Sequence, residues 1–317
     1  MNGEQTKIEI FAPFGAAFEL MKKILFQPFD FTKWLVLGFA AFLSGSWGSG
    51  FRFPSGGNWD SKVTSFNNTS LSDSLPSWFI PLMIALAILI LIIALVFMWI
   101  GARGRFIFTD CVVKNRAAIA VPWKEYRREG NSFFLFSLVV GFLALVITAA
   151  LVLLIVLPLG LFSHGKGMTD LGATALFAIV FIGLIWLAFT IFFGVVTQFM
   201  VPVMYRRRCL AREAFFDVSK LMLARPGPFI LFVLFGIVLV LALVVISTVA
   251  TCVTCCLAGL PYVSSVVLLP AFVWLLAFKL LFLRQFGPEY DVWAIAADSP
   301  SAALPETPPT VPPPPAE

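Results

Sequence analysis

Cys252, Cys255 and Cys256 fall within five residues of one another and are the densest group of soft ligands in the chain. Thiols at that spacing suit a disulfide, a soft metal ion or contact between helices. No histidine or carboxylate stands beside them, so a metal would lack its ordinary remaining ligands, and small-residue packing in an apolar helix is the simpler account. The single histidine, His164, lies in Ser163-His164-Gly165-Lys166-Gly167, a short connection with no acid or nucleophile nearby. It reads as a solvated loop residue. With one histidine, most metal sites and His-dependent catalytic arrangements are excluded together. The expectation is no catalytic residue, no cofactor and no metal, and hence no enzyme.

Ionisable residues inside apolar runs are the next candidates, because burying a charge in lipid is costly and such groups mark ion paths or proton relays. None stands at mid-membrane depth. Lys279 comes closest, near the inner end of the last run, where its stem reaches water by snorkelling. Asp110 and Gln198 also lie near inner helix ends, where capping and polar packing account for them. Proton-coupled transport is disfavoured. Cys111 and Cys209 flank basic stretches and read as packing cysteines.

The elements that hold these residues follow from composition. Of 317 residues, 60% are hydrophobic and only 12% charged, and the mean hydropathy is +0.96. That is more apolar surface than one soluble core hides, so lipid is the solvent for much of the chain. Six runs approach or exceed the ~20 residues needed to cross a bilayer core. They are 32–46, 79–100, 133–162, 174–204, 229–257 and 262–283. The first is short and ends in glycine and serine, whereas the third to fifth would be roughly 45 Å long as helices and must tilt or protrude. The predicted fold is all-α, a polytopic bundle of six transmembrane helices.

Nineteen of the 22 Lys and Arg residues fall in the N-terminal segment, the second and fourth connections and the end of the last run. Only Arg52, Lys62 and Lys166 fall on the other side. That bias places both termini in the cytoplasm. The net charge of +5 is spread through short loops beside apolar runs, which points to anionic lipid headgroups and away from nucleic acid. Arg127, Arg128, Arg206, Arg207, Arg208 and Arg212 are the candidate lipid contacts. Nothing at the start reads as a cleaved signal peptide, so the first apolar run is expected to serve as the targeting signal.

Two cytoplasmic stretches carry helical stripes: Phe14, Phe18, Met21 and Leu25 oppose Glu19, Lys22 and Lys23, and Leu210, Ala214, Val218 and Leu221 oppose Arg212, Glu213, Asp217 and Lys220. Interfacial helices are expected there, with a shorter copy from Val121 to Glu129 opened by Pro122. A threefold repeat follows the same units, with Phe31, Phe134 and Phe229 each preceding a glycine (Gly38, Gly141, Gly236) by seven residues. The domain division is 1–31 as a cytoplasmic segment with an interfacial helix, 32–293 as the membrane domain and 294–317 as a disordered proline-rich tail. The glycine- and serine-rich loop 45–78 contains Asn67-Asn68-Thr69-Ser70, a double glycosylation sequon that matters only in a eukaryotic secretory pathway.

Val201-Pro202-Val203-Met204-Tyr205, followed by a basic amphipathic stretch and Arg225-Pro226-Gly227-Pro228-Phe229, resembles the membrane domain of some glycerophosphoryl diester phosphodiesterases and YciC-like bacterial inner-membrane proteins. The stretches Cys252 to Tyr262 and Phe286 to Trp293 are similar to uncharacterised bacterial members of that group. The resemblance spans most of residues 10–293 and implies a six-helix inner-membrane protein. It transfers no catalytic residue, since a phosphodiesterase barrel would need roughly 250 further residues. Three roles compete on the sequence: a structural or accessory membrane protein, a permease for an apolar or lipid-like substrate, and, least favoured, a membrane enzyme.

Overall fold

A computed structural model of the chain describes residues 9, 11–45, 78–162, 170–253 and 261–294. His164, Cys255, Cys256, the sequon and the proline-rich tail lie outside the described residues. Apart from a 3-10 turn at Pro288–Tyr290, regular structure among the described residues is α-helical. The helices are α1 (Phe11–Phe26), α2 (Phe31–Leu43), α3 (Phe79–Val113), α4 (Ala120–Glu125), α5 (Arg127–Phe162), α6 (Asp170–Arg207), α7 (Ala211–Ala224), α8 (Pro226–Val253), α9 (Pro261–Val267) and α10 (Leu269–Arg284).

Local chemistry sets the boundaries. Asp30 caps α2, its carboxylate accepting from the backbone N–H of Thr32 at 2.8 Å and of Lys33 at 3.3 Å. Pro226 opens α8, where its missing N–H costs nothing. Asn115 ends α3 at a φ of 49°, and Arg208 ends α6 at a φ of 52°. Asparagine tolerates that left-handed conformation, but arginine adopts it only when its surroundings hold it there.

Four stretches are long and apolar enough to cross a membrane: Phe79–Val113, Arg127–Leu153, Val180–Arg207 and Pro226–Val249. The sequence expected six. The first run forms a helix of only 13 residues, Phe31–Leu43. The last run divides into α9 and α10 at Leu268 because Pro270 lacks the N–H that would bond the Val266 carbonyl. Boundaries also shift: α3 runs past Ile100 through Arg103, Arg105 and Asp110 to Val113, where hydropathy alone expected a loop.

The buried core does not run the length of these helices. In α3 every buried residue lies between Ala102 and Val113, and in α6 the buried set is Val195 to Tyr205. From α8 it takes Phe229 and Phe232. Around them pack α10, the inner faces of α1 and α2, and Ala211, Ala214 and Val218 of α7. Phenylalanine dominates: Phe232 stacks on Phe282 at 4.7 Å and meets Phe199 at 5.0 Å. Beyond this layer, Ile80 to Phe97, Phe177 to Ile191 and Ile237 to Val249 display large apolar side chains outward. Water would not tolerate such surface, and lipid accepts it.

Glycine permits one close approach. A Cβ on Gly104 of α3 would overlap the Leu43 carbonyl and the Ser44 nitrogen, so α2 ends flush on α3. A short helix precedes a longer apolar one twice, as α4–α5 and α7–α8, whereas α1, at 16 residues, is longer than the 13-residue α2 that follows it. The glycines of the three units are not equivalent either. Gly38 sits against Val266, whereas Gly141 and Gly236 face open space.

Candidate functional site

The densest polar group among the described residues centres on Asp110, whose side chain is fully buried near the end of α3. A carboxylate so placed survives only if its oxygens are occupied. Arg116 donates to Oδ2 through Nε at 3.0 Å and Nη2 at 2.7 Å, and Lys114 reaches Oδ1 at 2.8 Å. The Tyr205 hydroxyl donates to Oδ1 at 3.1 Å, with the Tyr126 hydroxyl at 3.4 Å. Asp110 thereby ties α3 to α6 and to the α4–α5 junction.

The network extends outward in layers. Tyr126 and Tyr205 stack with centroids 5.0 Å apart. Arg208 lies over the Tyr126 ring at 4.0 Å, pairs with Glu125 and approaches Glu129 at 3.6 Å. These contacts hold Arg208 in its left-handed conformation. Burial, reinforced by the Asp110 charge, pushes the Tyr126 hydroxyl above its ordinary range. At Arg116 burial opposes the charge, but the hydrogen bond and charge of Asp110 prevail and raise its pKa. Three carboxylates (Asp110, Glu125, Glu129) face three cations (Lys114, Arg116, Arg208). A charge-balanced cluster of this kind fastens helices, although Glu129 Oε2 is buried without a hydrogen-bond partner among the described residues.

A second network joins the end of α6 to the chain's last described turn. Arg207 pairs with Asp217 at 2.7 Å and with Glu289, and lies over Tyr290 at 5.2 Å. Arg284 pairs with Asp291 at 2.9 Å. On the opposite edge Arg103 donates to Asn131 Oδ1 at 2.8 Å and sits over Trp99 at 4.3 Å and Trp123 at 5.1 Å.

Residues 9–293 match the model of a family described as one of unknown function, DUF7544. The chain belongs to that family. No curated protein and no solved structure matches it. Membership in DUF7544 covers nearly the whole stretch expected from the resemblance, but it lends no specific support to the YciC-like or phosphodiesterase membrane-domain likeness.

The six arginines singled out in this DUF7544 chain differ in their partners. Arg207 and Arg208 are engaged in the ion pairs above. Arg127, Arg128 and Arg212 are exposed and Arg206 is half-buried, and among the described residues none of the four pairs with a carboxylate. Arg212 rests over its own helix's Phe216 at 5.9 Å. Cys111 is buried with its thiol toward the Ala118 carbonyl at 3.3 Å, and burial, then the Glu213 charge, pushes the Cys209 thiol up. Cys252 is exposed and free. No group of three or more metal-ligating side chains occurs among the described residues. Sequence reasoning placed Asp110 at a helix end but missed Tyr126 and Tyr205, which the sequence marks only as tyrosines beside basic residues.

Proposed function

We propose that the protein is a noncatalytic membrane bundle with a structural or accessory role, whose basic cytoplasmic side holds anionic lipid headgroups. The observation that carries this is the division among the arginines. Arg207 and Arg208 are satisfied internally, whereas among the described residues Arg127, Arg128, Arg206 and Arg212 pair with no carboxylate. Unpaired guanidiniums beside apolar helices favour an external phosphate. The occupied oxygens of Asp110 support the noncatalytic part.

The topology we attach to this reading is six crossings of the bacterial inner membrane with both ends inside. α9 and α10 together span ~36 Å, enough for one crossing, while α2 spans ~20 Å and relies on the residues after Leu43 to complete another. The likeness of 201–205 and 225–229 to YciC-like proteins supports that membrane. Protein reconstituted into liposomes of native lipid extract tests the role. Hydrolysis of lipids or glycerophosphodiesters, or transbilayer lipid movement above empty vesicles, would contradict it. Parity with empty vesicles is expected.

A further inference from the structure

Arg103 of α3 is buried, only 6% exposed, yet it pairs with no carboxylate among the described residues. Its acceptor is neutral: Asn131 Oδ1 takes Nε at 3.1 Å and Nη2 at 2.8 Å. Trp99 sends its indole N–H to the same oxygen at 3.1 Å, so three donors already share one carbonyl. The Trp99 and Trp123 rings, with centroids 5.8 Å apart and planes at 86°, stabilise the cation but bring no opposing charge. A buried cation stays costly until a counter-charge reaches it.

What Arg103 still offers is one edge of its guanidinium. Nε and Nη2 serve Asn131 along one side, which leaves Nη1 and the second Nη2 proton as a parallel fork. Nη1 makes no hydrogen bond among the described residues. Only Glu129 Oε2 and Ser219 Oγ are both sealed and unbonded there, so Nη1 reaches the exterior. Beside it, the exposed Asn131 keeps its amide N–H donors unbonded. The arginine stem is held in place, since a Cβ on Gly130 would come within 2.8 Å of Arg103 Cγ and α5 packs directly against it. Fixed donors without an acceptor suit an oxyanion.

The position along α3 selects the anion. Outward-facing apolar side chains run as far as Phe97, and Arg103 follows ~9 Å further along the helix, where the buried layer begins. Trp99 and Trp123 flank it, and tryptophan favours the level of lipid headgroups. We infer that the free edge of Arg103, framed by Trp99 and Trp123, binds one phosphate of the kind an anionic phospholipid carries. The inference deepens the lipid-binding reading above, but Arg103 is not among the four arginines on which that reading rests.

The full chain, stripped of lipid in detergent, is titrated with phosphatidylglycerol, with diacylglycerol of the same acyl chains, or with inorganic phosphate. Native mass spectrometry counts bound lipid, and thermal unfolding reads stabilisation. One tight phosphatidylglycerol per chain is expected, and no tight diacylglycerol. Arg103→Lys keeps a cation but loses the fork, and should weaken binding about tenfold to a hundredfold. Asn131→Asp supplies the missing carboxylate from within: stripped protein should unfold at a higher temperature while phosphatidylglycerol affinity falls by a similar factor. A role in helix packing alone would leave lipid affinity unmoved in that variant. Displacement of the lipid by inorganic phosphate assigns the site to the free anion, and failure to displace it assigns the site to the lipid; either outcome sustains phosphate recognition. Replacing the four arginines should leave the single lipid bound, which separates this site from the diffuse layer. Equal phosphatidylglycerol affinity in wild type, Arg103→Lys and Asn131→Asp overturns the inference, as does equal binding of diacylglycerol or binding of neither lipid nor phosphate.

Discussion

The indole N–H of Trp34 in α2 donates to the backbone carbonyl of Val266 at 3.0 Å, the acceptor that Pro270 leaves without its helical partner. The break between α9 and α10 is thus closed by a side chain more than two hundred residues away in sequence. Tyr262 adds a second tie, its hydroxyl donating to the Leu35 carbonyl at 3.3 Å. Replacing Trp34 by Phe keeps the ring but strands the carbonyl, at a cost of ~1–3 kcal/mol. Pro270→Ala restores an N–H to Val266, so Trp34→Phe should cost less in that background. A double-mutant cycle on thermal unfolding in detergent reads the coupling, and purely additive losses would refute it.

Asp110 concentrates a larger share of the fold. Asp110→Ala leaves Arg116 and Lys114 only their longer pairs with Glu125, at 3.7 Å each, and two tyrosine hydroxyls without their acceptor. Breaking a buried pair in this way costs ~3–5 kcal/mol. Thermal unfolding should fall sharply, while Arg284→Gln, which removes only a half-exposed pair, should shift it little.

Glycine substitutions separate the close contact from the sequence repeat. Gly104→Ala forces a Cβ into the Leu43 and Ser44 backbone and should part α2 from α3, with a marked loss of stability. Gly141→Ala and Gly236→Ala meet open space and should be neutral or stabilising by up to ~1 kcal/mol, the difference in helix propensity. Equal losses at all three would show a shared packing role.

Alkaline titration tests the buried Tyr126. Its hydroxyl ionises above the ordinary value of 10.0, chiefly because of burial. A raised folded value means that Tyr126 contributes stability fully below the unfolded value, and that this is lost as pH rises through the folded value. Native protein should therefore show no tyrosinate signal from Tyr126 near pH 10, and Tyr126→Phe should leave that part of the absorbance titration unchanged. A loss of signal there in the variant would place Tyr126 in contact with water.

Much of this architecture is legible in the sequence, and the parts that are not share a cause. Helices α3, α5, α6 and α8 announce themselves because an apolar run long enough to cross lipid has few alternatives. Their inner ends do not. Hydropathy treats Arg103, Arg105 and Asp110 as the start of a loop, whereas α3 continues through them because Asn131 pairs with Arg103, and Arg116 and Lys114 pair with Asp110. Such pairings join residues up to 95 positions apart, as Tyr205 does with Asp110, and no local pattern encodes them. Pro270 was a readable signal for the α9–α10 break. The six arginines were readable as a basic side, but only tertiary contacts separate the engaged Arg207 and Arg208 from the other four.

The role assigned to those four is tested most directly by the lipid that remains with the protein. Full-length wild type and the variant carrying Arg127→Gln, Arg128→Gln, Arg206→Gln and Arg212→Gln are extracted gently from the same membranes, and their bound lipids are quantified by mass spectrometry against the bulk membrane. Wild type should be enriched in anionic phospholipid, and the variant should approach the bulk ratio while keeping its fold. The same enrichment in both proteins would contradict the account.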